Sequence, residues 1–128
     1  MKIYVICVVR SASLEDIQKL ENYVQELEDQ GHQVHLPHRD TEQDARGYDI
    51  CMQNYDAICW ADEIHVFYNS KSQGTHFDLG MTFALGKKVT IIENESYDEG
   101  KSFARMLDEW IIEQEVAKQK YRSKNDID

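Results

Sequence analysis

ADEIHVFYNSKSQGTHFDLGMTFALGKKVTII, from Ala61 to Ile92, holds two strand signals and one helix signal in a single passage. EIHVFY, Glu63 to Tyr68, predicts a strand, and the polar NSKSQG after it predicts a loop. Thr75 to Leu85 carries helical spacing through Leu79 and Phe83, and Gly86 ends it. KVTII, Lys88 to Ile92, predicts the next strand. Strand, helix, strand in that order is a parallel unit joined by a right-handed crossover.

The same alternation extends in both directions. Upstream, Lys2 to Val9 is almost continuously apolar and β-branched, the pattern of a central parallel strand covered on both faces. Ser13 followed three residues on by Asp16 is a capping-box start for a helix with apolar positions Leu14, Ile17, Leu20, Val24 and Leu27, stopped by Gly31. Gln33 to Leu36 predicts a short strand broken by Pro37, HRDTEQD a loop, and Ala45 to Trp60 a second helix. Downstream, Phe103, Leu107, Trp110 and Ile111 form the stripe of a last helix, which turns polar from about Gln114. The expectation is one α/β domain over residues 1–113, a Rossmann- or flavodoxin-like three-layer sandwich with a parallel sheet of four to five strands. Residues 114–128 are expected to be a polar helix end or frayed tail.

Composition narrows the function classes. The 128 residues carry 14 Lys and Arg against 24 Asp and Glu, a net charge of −10 that repels polyanions, so a nucleic-acid polymer is not an expected partner. No run reaches the ~18–20 apolar residues of a membrane span, and no signal-peptide pattern opens the chain; the expected setting is cytoplasmic. Cys7, Cys51 and Cys59 are odd in number and lie in apolar segments, which suits reduced, buried thiols.

In open parallel sheets, ligands bind beyond the carboxyl ends of the strands where the strand order reverses. This selects Arg10–Ser13, Pro37–Asp44 and Asn69–Thr75. In the last of these, Gly74 allows close approach, and the free N–H groups of the following helix favour an anion. Asp78 lies one turn inside, where the helix dipole favours its ionised form. The spacing Thr75-x-x-Asp78 fits a helix-start capping box equally well. Gly80, which costs a helix ~1 kcal/mol relative to Ala, implies close packing or ligand clearance.

Ala61–Asp62, Gly74–Thr75, Asp78, Gly80, Ala84, Gly86–Lys87 and Val89, with the opening KIYVICVVR, resemble the nucleoside 2-deoxyribosyltransferase-like superfamily over about the first 95 residues. The resemblance implies cleavage or transfer at the N-glycosidic bond of a nucleoside or nucleotide. Asp78 takes the place of the nucleophilic acid, Asp62 that of the aspartate opening the third strand, and Tyr4 that of the tyrosine orienting the nucleophile. It also implies a homo-oligomer, with Trp110 and Ile111 as one candidate contact and core burial as the other reading of those residues. No cofactor is implied.

Asp78 is one methylene shorter than the family's usual glutamate, and Ser72 stands where transferases carry a second acid. These departures motivate an alternative, a nucleotide-binding module with little or no turnover. Arg10, Ser11 and Ser72 suit a phosphate, and His76 suits a donor to ligand or a half-exposed helix position. His38, Arg39 and Asp40 are placed to reach a base or sugar, or else form a solvated loop. His32, His35 and His38 alternate faces and do not converge on a metal.

Overall fold

β1 is Lys2–Ile6, and its period-2 alternation sends Ile3 and Val5 to one face and Tyr4 and Ile6 to the other, all four fully buried. The computed structural model describes residues 1–125. After β1 come α1 (Leu14–Asp29), β2 (Gln33–His35), α2 (Pro37–Asp40), α3 (Gly47–Trp60), β3 (Glu63–Phe67), α4 (Gln73–Ala84), β4 (Lys88–Glu93) and α5 (Phe103–Asn125). The sheet has four strands in the order β2-β1-β3-β4, all parallel, so the order reverses between β1 and β3.

Two cores follow from the two sheet faces. Ile3, Val5, Leu20, Val24, Val34 and Leu36 close the α1 face. Tyr4, Ile6, Ile58, Ile64, Leu79 and Leu107 close the face covered by α3, α4 and α5. α1 opens on the expected capping box, with Ser13 Oγ accepting the Asp16 N–H and the Asp16 carboxylate accepting the Ser13 N–H. Lys87, following Gly86 in its left-handed conformation, donates to the Cys59 and Ala61 carbonyls and so caps the C-terminus of α3.

Several expectations are corrected. β1 ends at Ile6 rather than Val9. The expected loop after β2 opens with the short helix α2, because Pro37 occupies a first helical position, where no N–H is required. α4 begins at Gln73 with Ser72 as its N-cap, so Thr75 is not the cap. Leu14 and Phe103, expected on apolar stripes, are exposed, as are Phe83 and Cys59. Trp110 and Ile111 pack against the core. α5 continues past Gln114 to Asn125; residues 126–128 of the expected tail lie outside the described residues.

Both outer strands have side chains on their free edges. Arg39 Nη2 donates to the Val34 carbonyl of β2 at 2.9 Å. The Gln114 amide accepts the Val89 N–H at 2.8 Å and donates to the Val89 carbonyl at 3.0 Å, standing where a further strand would pair.

Ile58→Ala, at a fully buried position, is expected to cost about 2–5 kcal/mol in urea denaturation. Leu14→Ala, at a position 87% exposed, is expected to change stability by no more than ~0.5 kcal/mol.

Candidate active site

Tyr4 stands in the middle of β1 and points to the α4 side; Asp78 comes down from α4 to meet it. The Tyr4 hydroxyl donates to Asp78 Oδ2 at 2.8 Å in a buried contact. Oδ1 has no hydrogen-bond partner among the described residues. Asp78 is 8% exposed, and burial pushes its carboxyl up to about 6, against the downward pull of the Tyr4 hydrogen bond. It is the sixth residue of α4, beyond the turn where the helix dipole acts, so burial dominates. Near neutral pH the carboxylate is still mostly ionised. Tyr4 is shifted the opposite way from a reactive phenol: burial and the adjacent carboxylate raise it well above its ordinary value, so it stays a donor.

The chain beyond β1 adds Cys7, buried and protonated, its thiol pushed up to about 12 by burial and by Asp78. Cys7 Sγ lies 3.9 Å from His38 Nδ1. His38 Nε2 is buried without a hydrogen-bond partner among the described residues. Cys7 also lines a cavity of about 170 Å³ at the ends of β1, β3 and β4, together with Asp16, Lys19, Tyr68, Asn69 and Asn94. Asp78 is not among its lining residues. This volume is below the ~300–1,000 Å³ of small-molecule pockets, so a nucleoside would fit it only in part.

The other expected positions are dispersed. Asp62 does not join the Tyr4–Asp78 pair: it lies at the amino end of β3, exposed, and its carboxylate accepts the Lys2 N–H at 2.8 Å, clamping the start of β1. Ser72 spends its Oγ on the Thr75 N–H. His76 uses both ring nitrogens, Nδ1 on the Ser72 carbonyl and Nε2 on the Tyr68 hydroxyl. Thr75 is buried with no partner for its hydroxyl among the described residues, and Gly74 has open space where a Cβ would stand. Arg10 and Ser11 are exposed in the turn after β1. The three histidines of the second strand region go separate ways: His32 to the Met1 amino group, His35 to Thr41, His38 to Cys7. The His35 and Cys7–His38 contacts were not read from the sequence; the only signal for His35 was its place on the same face of neighbouring strands as Tyr4.

The four-stranded parallel α/β fold of this chain is shared with solved structures of other proteins. The chain is similar to a CMP N-glycosidase from Clostridium botulinum, at 24% identity and TM-score 0.54 over 78% of this chain and 74% of that one. A 2-deoxyribosyltransferase from Bacillus psychrosaccharolyticus matches at 24% identity and TM-score 0.60 over 77% of each chain. A conserved protein from Enterococcus faecalis V583 matches at 18% identity and TM-score 0.61 over 84% of this chain and 72% of that one. No family model and no curated protein matches the sequence. No helix among the described residues is long and apolar enough to cross a membrane.

The raised carboxyl has a stability consequence whose sign is fixed. Between the ordinary value of 3.8 and about 6 the folded state holds the extra proton, so stability falls as pH rises through that window. Asp78→Asn cannot ionise and is expected to exceed the wild type by about 1–3 kcal/mol at pH 8 and to match it near pH 4. Urea denaturation at the two pH values measures both.

Proposed function

We propose that the protein cleaves or transfers the N-glycosidic bond of a (deoxy)nucleoside or nucleoside monophosphate, with Asp78 as carboxylate nucleophile. The observation that carries this reading is the buried Tyr4–Asp78 hydrogen bond beside the strand-order reversal. That the fold is shared with an N-glycosidase and a deoxyribosyltransferase supports the same chemistry. Tyr4 holds Oδ2, which leaves Oδ1 as the attacking atom. Oδ1 bonds to the anomeric carbon, the carbon–nitrogen bond breaks, and its electron pair leaves with the base. Water or a second base then attacks the same carbon and restores the carboxylate. His38, whose Nε2 has no partner among the described residues, is the group we assign to donate a hydrogen bond to the departing base, in the tautomer that carries the hydrogen on Nε2. Burial holds its pKa below the usual histidine value, so it acts as a neutral donor. Arg10 and Ser11 are the positions we assign to a 5′-phosphate. Asp62 keeps no chemical role in this proposal.

A second reading, a nucleotide-binding module, is favoured by the recessed, short Asp78 and the small cavity. One assay separates the two. Deoxynucleosides and their 5′-monophosphates are incubated with the protein, and free base is measured by chromatography. The enzyme reading expects base release that falls by about 10³-fold or more in Asp78→Ala and rises with pH through about 6 as Asp78 ionises. Intact ligand with measurable calorimetric binding identifies the module.

We also propose that the chain self-associates, through α3 and α4 rather than α5. The exposed face of α3 is Tyr48, Met52, Tyr55, Asp56 and Cys59, and that of α4 carries Phe77, Gly80, Phe83 and Ala84. Its charges are Asp56 and Asp49, the latter paired with Arg46, in a chain of net charge −10. Nothing lies within 4 Å of a Cβ added at Gly80, so neither close packing nor clearance within one protomer explains a glycine that weakens the helix. A second copy packed against this face does. Tyr48, Tyr55, Phe77 and Phe83 together expose roughly 450 Å² at ~200 Å² per ring, about half of what one partner contributes to a standard interface. Sedimentation is expected to show a dimer or larger for the wild type and a folded monomer for Phe77→Glu.

A further inference from the structure

Tyr4 does not stand alone beneath Asp78. Parallel pairing of β1 with β2 sets Tyr4 opposite His35, on the same face of the sheet. Their rings stack with centroids 5.3 Å apart and planes 15° from parallel. A stacked phenyl would fill this space as well, but the imidazole is also anchored: His35 Nε2 lies 2.8 Å from Thr41 Oγ1. Thr41 is 4% exposed and donates its hydroxyl hydrogen to Asn54 Oδ1 at 2.7 Å. A hydroxyl has one hydrogen, and Thr41 has committed it to α3. The His35–Thr41 bond therefore runs the other way, with Nε2–H donating, which fixes the tautomer and the plane of the ring. The segment that carries Thr41 is itself pinned, by Thr41 N–H to the Pro37 carbonyl and by Glu42 N–H to Gln53 of α3.

We infer that His35 is a positioning residue: anchored through Thr41 to Asn54, its ring holds the Tyr4 phenol at the rotation that delivers its hydroxyl to Asp78 Oδ2. This rests on the reading of Asp78 as the reacting carboxylate. Burial lowers the His35 pKa, with the neighbouring Asp40 opposing and Arg39 reinforcing that shift, so the ring is neutral and stacks on Tyr4 without an ionic demand. The arrangement divides the work: Tyr4 touches the acid, His35 sets Tyr4, and Thr41 with Asn54 transmits the position of α3 to the middle of the sheet.

The test reads Asp78 directly. Its carboxyl is titrated by ¹³C NMR, with the resonance assigned by its loss in Asp78→Asn. The Tyr4 hydrogen bond holds the Asp78 pKa down, so freeing the phenol raises it. His35→Ala is expected to lift the titration midpoint by about one pH unit, the size of one lost hydrogen bond to an ionised group. Thr41→Val, which leaves both rings in place and cuts only the anchor, is expected to shift it the same way by less; Asn54→Leu cuts the same anchor from α3 if Thr41→Val does not fold. On base release, His35→Ala is expected to lower kcat by about 10–100-fold with KM within about threefold, the mark of misplacement rather than lost binding. Unchanged Asp78 titration in the folded variants overturns the inference and means that core packing alone holds Tyr4. A shifted midpoint in a protein that releases no base keeps the positioning role and removes the nucleophile reading. Base release with an unmoved midpoint does the reverse.

Discussion

The hydrogen bond from the Tyr4 hydroxyl to Asp78 ties the centre of the sheet to the helix that carries the acid. Burial works against an ionised carboxylate and one phenol works for it, and the balance leaves Asp78 near 6. A carboxylate this enclosed with no donor would be an uncompensated buried charge. One that kept the acidity of a free aspartate would be well solvated and poorly aimed. The contact depends on details far apart in the chain: the alternation that turns Tyr4 toward α4, the phase of α4 set by its Ser72 cap, and the reversal of strand order beside β1.

Much of this framework was legible in the sequence because it is local. Unbroken β-branched runs made the strands plain, and Ser13 with Asp16 marked the start of α1 to the residue. Legibility failed where two local signals compete. Pro37 ends a strand but also suits a first helical position, and only the chain geometry after β2 chooses. Ser72 and Thr75 are both good caps; Thr75 loses because its side chain is buried. Asp62, placed by the resemblance at the opening of the third strand, is tied to the Lys2 N–H at the amino end of the sheet, a pairing across 60 residues that no local signal marks. Within the candidate site, Tyr4 and Asp78 were paired only through the family resemblance, since a tyrosine in an apolar strand reads by itself as core. Thr41 and Asn54 were not readable, because their relation to Tyr4 runs through His35 and exists only after β2 has docked beside β1.

Helix α4 concentrates features that a solitary helix would avoid. It carries a buried acid, a glycine with empty space beside it, and aromatic side chains open to water. Its stability therefore comes from its surroundings: the Ser72 cap, the Leu79 contact with the core, and the Thr82 hydroxyl bonded to the Asp78 carbonyl. The helix that delivers the carboxylate is held in place by its neighbours rather than by its own propensity.

The plugs on the two outer strands also shape how such chains can meet. A sheet with bare margins recruits further strands without limit and grows into fibres. Here guanidinium and amide groups already occupy bonds that an incoming strand would need. Pairing of a further strand at these two positions is therefore disfavoured. For an acid-rich chain with greasy helices this is a safeguard against fibrous aggregation, achieved with two side chains.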